Sequence, residues 1–288
     1  MTDLFAEGFA TDDVAACLVD AGQGQWRVTL YFRFARDEGA VRDFAAIAGG
    51  AAAAKALRFE RVAAKDWVGE SLAGLKPVAA GRFIVHGAHD RGGIPQNRIG
   101  IEIEAALAFG TGHHGTTRGC LLALDRMCKS WPSGQAARRI LDLGTGSGVL
   151  AIAAARILRR RVLATDIDAA AVRAARANAR LNRVGPLVAI VKAAGVTAPE
   201  VRAHAPFDLV FANILLEPLQ RLASPLAKMV APGGRVVLSG LLTAQANAAL
   251  AAYHAFRLER RVALDGWTTL VLKRPRRSRG VARSTRRP

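Results

Sequence analysis

The sequence predicts an α/β chain: a doubly wound, largely parallel sheet that closes in an antiparallel hairpin, preceded by a small α+β domain. Three observations predict it. From residue 138 onward, short apolar strand runs alternate with helical runs. In LDLGTGSGVLAIAAA (141–155), alternate glycines sit where the first strand of that series meets its helix. In FRLERRVALDGWTTLVLKR (256–274), two β runs flank Asp265-Gly266, a strong signal for a tight hairpin turn.

Taken in order, WRVTLYFRF (26–34) alternates as a strand does, EGAVRDFAAIAGGAAAAKA (38–56) reads as a helix with a glycine pair able to end it, and LRFERVAA (57–64) reads as a second strand. These give a small α+β domain over residues 1–65. DWVGESLAGLKPVAAG (66–81), broken by Pro and Gly, reads as a linker. The larger domain is expected over 82–274. Its strands are RRILDLG (138–144), RVLATDID (161–168), LVAIVKAAG (187–195), FDLVFANI (207–214) and GGRVVLSG (233–240), followed by the hairpin. Its helices are VLAIAAARILRR (149–160), AAAVRAARANARLN (169–182) and PLQRLASPLAKMV (218–230), the last with a kink or break expected at Pro225. Asp168 stands where the cap of the 169–182 helix belongs.

A chain of 288 residues, 51% hydrophobic, can bury a core and has the length of two domains. Its apolar runs are too short for a membrane span, and MTDLFAEGFA lacks the basic start of a secretory signal. Cys17, Cys120 and Cys128 form no CxxC pair, which suits a reducing cytoplasm and argues against a zinc ribbon. The net charge of +18 is uneven. Residues 1–75 hold 8 Lys/Arg and 11 Asp/Glu, whereas 273–288, KRPRRSRGVARSTRRP, holds 8 bases and no acid. The basic tail, 275–288, is expected to be disordered and suggests contact with RNA or another polyanion, a terminus with no fixed partner being the alternative. A monomer is expected.

Chemistry concentrates on the carboxyl edge of the sheet, where open α/β folds bind ligands. Gly144, Gly146 and Gly148 let the backbone turn sharply and let a ligand approach, and the next helix points its positive end at that turn. Gly146, Gly148 and Ala151 also satisfy the dinucleotide fingerprint, so the turn alone leaves a nicotinamide cofactor open. Asp166 ends the next strand, where its carboxylate can accept bonds from both ribose hydroxyls, each worth roughly 1.5–3 kcal/mol. Nicotinamide enzymes use an acid there too. Asn213, in FANILLEP (211–218), ends the fourth strand, where its amide oxygen can accept from a substrate amine and aim the lone pair. This favours methyl transfer to an amine over hydride transfer, for which no residue set is visible.

AFGTGHHGTT (108–117), LDLGTGSGVLAIAA, ATDID, FANIL and LSGLL, in this order, resemble the ribosomal protein L-eleven methyltransferases (the PrmA family) over residues 66–272. The resemblance implies a class I methyltransferase (Rossmann-like) mixed sheet, an N-terminal substrate-recognition domain, and S-adenosylmethionine as donor. It implies lysine and N-terminal amines of a large-subunit ribosomal protein as acceptors. A lysine of an electron-transfer flavoprotein subunit is the alternative substrate in similar enzymes, and an NAD-type oxidoreductase is the more distant alternative. Carried over by position, Phe109, Thr117, Gly144, Gly146, Asp166 and Asn213 contact the cofactor, with Asn213 also positioning the amine. The family's Asp-Pro-Gly before AFGTG is Glu104, Ala105 and Ala106 here, and Gly115 replaces a frequent Pro. The 108–117 stretch then reads as a glycine-hinged lid, with Thr117 its polar contact and Phe109 its apolar one. Adjacent His113 and His114 point apart on an extended loop, so no metal site is expected.

Overall fold

The computed structural model describes residues 14–22, 25–32, 37–60, 77–103, 115–131 and 136–276. The chain forms two compact units, Met1–Ala64 and Lys65–Pro288.

In the first unit, β1 (Val14–Gly22) pairs antiparallel with β2 (Gln25–Phe32). The sequence reading found β2 but not β1, whose VAACLVDAG is rich in small residues with weak strand preference. Helix α1 (Glu38–Ala56) starts at Asp37, whose side chain accepts from Gly39 N at 2.9 Å. The glycine pair interrupts α1 rather than ending it: Gly50 lies at φ 82°, ψ 171°, and Arg42 bridges the break by donating to Ala54 O at 2.9 Å. The strand expected over 57–64 is not there in its described part, since 57–60 carry no regular structure. Residues 61–64 lie outside the described residues.

The second unit opens with a three-stranded sheet of β3 (Val78–Ala80), β4 (Phe83–His86) and β5 (Ile99–Glu102). The end of the expected linker is therefore strand, because Gly81, at φ 61°, turns β3 back onto β4. Helix α2 (Gly115–Ser130) follows.

The main sheet has seven strands: β6 (Ile140–Leu143), β7 (Val162–Asp166), β8 (Val188–Lys192), β9 (Phe207–Asn213), β10 (Val230–Leu242), β11 (Arg257–Leu264) and β12 (Trp267–Lys273). Their order is β11-β12-β10-β9-β6-β7-β8. The five strands from β10 to β8 are parallel, and β12 and β11 are antiparallel additions at one edge. The hairpin turn has Asp265 at φ 51° and Gly266 at φ 78°, as a type I′ turn requires.

Helices α3 (Val149–Leu158), α4 (Ala169–Leu181), α5 (Pro199–Arg202), α6 (Leu216–Met229) and α7 (Ala246–Ala252) complete the unit. Strand residues alternate between two buried layers. Ile140, Leu209, Phe211 and Val271 pack with α2, α3 and α4, while Leu141, Val210, Ala212, Leu270 and Leu272 pack with α6 and α7. Pro225 neither ends nor splits α6, so the break, one of the two outcomes expected there, is absent. Buried Ala223 and Leu226 on either side of it anchor the helix to the sheet and outweigh the lost backbone bond. Among the described residues no helix is long and apolar enough to cross a membrane.

Candidate active site

The carboxyl ends of β6, β7 and β9 bring together residues that are far apart in sequence. After β6 the backbone takes positive φ at Gly144 (68°), Gly146 (54°) and Gly148 (84°). Gly144 N and Thr145 N both donate to Thr165 O at 2.9 Å, which binds the turn to the end of β7. A Cβ on Gly144 would stand 2.5 Å from Ile214 Cγ2, so glycine there also makes room for the segment that follows Asn213.

Asp166 faces this turn. Its Oδ2 accepts from Gly146 N at 2.9 Å and its Oδ1 from Asp168 N at 3.0 Å. Each oxygen keeps a lone pair, and the side chain is partly open to solvent. Ile167 beside it is 70% exposed, an apolar surface next to the carboxylate. Asp168 caps α4, accepting from Ala170 N at 2.8 Å, as expected. A carboxylate for two ribose hydroxyls, an apolar platform for a purine and a turn free of Cβ atoms are what S-adenosylmethionine needs, so the residues fit that group. Asp166→Ala is expected to weaken S-adenosylmethionine binding roughly ten- to a hundredfold, the loss of one or two bonds to a charged acceptor. Isothermal titration reads this directly, and unchanged affinity would place the ribose elsewhere.

Asp142 has a role its position in the motif did not disclose. It is 1% exposed, and its Oδ2 accepts both Thr145 Oγ1 at 2.6 Å and Ala151 N at 3.0 Å. Ala151 lies in the first turn of α3, whose own N-cap is Gly148 and offers no side chain. A strand carboxylate therefore caps the helix of the cofactor loop. Burial pushes its carboxyl up to about 6, against the pull of the two hydrogen bonds; the neighbouring Asp166 charge adds to the rise. Asn178, on α4, closes the loop from the other side, donating from Nδ2 to Ser147 O at 2.9 Å.

Thr117 and Asn213, 96 residues apart, meet: Asn213 Nδ2 donates to Thr117 Oγ1 at 3.4 Å. Thr117 is fully buried in the first turn of α2. That turn is held down by Ser239 Oγ, which donates to Thr116 O at 3.1 Å and is bonded to Thr269 Oγ1 at 2.9 Å. The ladder Thr269–Ser239–α2 joins the antiparallel edge to the site. Phe109, His113 and His114 lie outside the described residues, as does the 108–114 part of the expected glycine-hinged lid; its end, 115–117, is the first turn of α2. Cys120 is buried and desolvation pushes its thiol up to about 12; Cys128 is pushed up to about 11 in the same way, so neither serves as a thiolate nucleophile near neutral pH.

The family model described as "Ribosomal protein L11 methyltransferase (PrmA)" matches residues 11–275. A ribosomal protein L11 methyltransferase of Rhodopseudomonas palustris is 53% identical over 274 residues, covering 94% of this chain and 92% of that one. One from Bradyrhizobium diazoefficiens is 52% identical, covering 95% and 92%. A crystal structure of a ribosomal protein L11 methylase from Lactobacillus delbrueckii subsp. bulgaricus superposes with a TM-score of 0.61 at 28% identity, over 70% of this chain and 100% of that one. Likeness of this extent makes the protein an S-adenosylmethionine-dependent methyltransferase: the chain belongs to the ribosomal protein L11 methyltransferase (PrmA) family.

Proposed function

We propose that this chain methylates lysine and N-terminal amino groups of the large-subunit ribosomal protein L11, with Asn213 positioning the amine and Phe109, Thr117, Gly144, Gly146, Asp166 and Asn213 contacting the cofactor. The observation that carries this reading is the Asn213–Thr117 contact. With Nδ2 engaged by Thr117, the amide oxygen of Asn213 is turned to accept from an incoming amine N–H. An amine so held presents its lone pair on the side away from that bond.

S-adenosylmethionine supplies an already activated methyl on a sulfonium. What remains for the protein is alignment, worth roughly 7–11 kcal/mol of barrier when the geometry is right. The amine must also be neutral. A free lysine, with pKa about 10.4, costs roughly 4–5 kcal/mol to deprotonate near neutral pH, and an α-amine only about 1 kcal/mol. The proton goes to water, and the apolar side chains at the strand ends, Leu215 at 71% and Leu242 at 46% exposure, lower that cost by shedding water from the ammonium as substrate covers them. In the same reading the enzyme is a cytoplasmic monomer and its basic C-terminal residues touch ribosomal RNA.

Mass spectrometry of L11 incubated with the enzyme and S-adenosylmethionine tests the substrate: increments of about 14 Da per methyl are expected, and an unmodified protein overturns the assignment. Asn213→Ala is expected to lower kcat ten- to a hundredfold, because misplacing the amine by about 1 Å forfeits that much alignment. Its KM for the donor should rise less than in Asp166→Ala, since Asp166 and the loop remain. A kcat equal to the parent's would remove Asn213 from the amine.

A further inference from the structure

Away from the methyl-transfer site, a groove of about 570 Å³ runs between α2 and the edge strand β11, lined by Leu122, Asp125, Arg126, Lys129, Arg260 and Val262. Arg126 and Lys129 are exposed and three residues apart, hence on one face of α2. Arg260 lies in a run of five exposed residues, 257–261. The one carboxylate of the lining, Asp125, is already engaged by Arg82 and by Lys129 Nζ at 2.7 Å. Four cations thus surround one anion.

The positive surface continues past the groove. Arg257 pairs across the hairpin with Lys273, and Arg274 and Arg276 follow. Glu259 is bound by Arg235 through two bonds of 2.6 and 2.8 Å, and Arg235 also lies 5.8 Å from the Trp131 ring at the end of α2. The sequence then adds five arginines and no acid over 277–288. Thr117 and Lys129 stand in the first and last turns of α2, about 18 Å apart along its axis at 1.5 Å per residue, so an occupant of the groove leaves the catalytic edge open.

We propose that the α2–β11 groove binds the phosphate backbone of RNA through Arg126, Lys129 and Arg260. Guanidinium forks match phosphate oxygens in pairs, and a row of cations on a sheet edge follows a linear polyanion. A lipid surface fits less well, because Leu258 is the one large exposed apolar side chain on β11 and membrane attachment needs an apolar face beside the charge. The choice of RNA among phosphodiester polymers rests on the ribosomal substrate proposed above; the groove's affinity for phosphate does not.

The test is fluorescence anisotropy of a labelled single-stranded RNA with the full chain, over about 50–200 mM salt. Each lost phosphate contact removes about 0.7 from the slope of log K against log salt. Arg126→Gln/Lys129→Gln/Arg260→Gln is therefore expected to flatten the slope by about 2 and to weaken binding about a hundredfold at 0.1 M salt. Its methyl transfer and melting temperature should match the parent's. Arg126→Lys/Arg260→Lys keeps the charges and should keep the slope. An unchanged slope and affinity in the triple glutamine variant overturn the proposal, as does a loss confined to anionic vesicles. Groove-dependent RNA binding by an enzyme that leaves L11 unmodified would sink the substrate reading and leave this one standing.

Discussion

Gly240→Ala is expected to destabilise the protein by about 2–5 kcal/mol. Gly240 sits at φ 82°, where a residue with a Cβ costs roughly 1–2 kcal/mol. The added Cβ would also stand 2.8 Å from the carbonyl carbon of Ile214 and closer still to its oxygen. That obstacle is backbone and cannot swing aside, so the chain must shift at the further 1–3 kcal/mol typical of overpacking. For a unit of this size the melting temperature should fall by about 10 °C. The segment pushed is the one that follows Asn213, and β10 pairs Ser239 with Asn213 beside it. Methyl transfer should therefore fail at temperatures where the variant is still folded. Urea unfolding and activity assays check both parts, and a loss below about 1 kcal/mol would mean the backbone around Gly240 has slack.

Asp142→Asn is expected to remove a pH dependence of stability worth up to about 3 kcal/mol, the equivalent of moving a carboxyl from its unfolded value near 3.9 to about 6. Both hydrogen bonds reach the same oxygen, Oδ2, and an amide oxygen can accept both, while Oδ1 has no partner. The sign follows from the direction of the shift. A carboxyl raised in the folded state favours folding when protonated, so its contribution is fully present below about 4 and is lost as pH rises through about 6. The parent should therefore gain stability from this group on acidification from about 7 to 4, and the variant should not. Urea midpoints across that range give the answer. A variant that keeps the parent's gain on acidification would assign that dependence to another group.

Much of this was readable along the chain because the forces are local. Alternate glycines, Asp265-Gly266 and Asp168 act through backbone conformation and bonds spanning two or three residues, and all three appear where the sequence places them. The strand–helix alternation after residue 138 reads cleanly because the central parallel strands β6, β7 and β9 are buried on both faces and mostly apolar. Where the reading failed, a distant contact outweighed a local preference. Pro225 is carried inside α6 by the packing of Ala223 and Leu226. Val78–Ala80 becomes a strand because β4 is there to pair with it.

The sequence by itself determined the class of sheet, the glycine-rich turn, the carboxylate that ends β7 and the family signature, since each is a short pattern with its own physical cause. Only the tertiary structure decided that Asn213 turns its amide nitrogen to Thr117, that Asp142 caps a helix whose N-cap is glycine, that Gly240 clears the carbonyl of Ile214, and that Arg260 faces Arg126 and Lys129 across a groove. These pairings depend on strand order and on the seating of α2 against the antiparallel edge. Juxtapositions of residues 134 positions apart, as of Arg126 and Arg260, are set by the packing of the whole sheet, which no local propensity encodes.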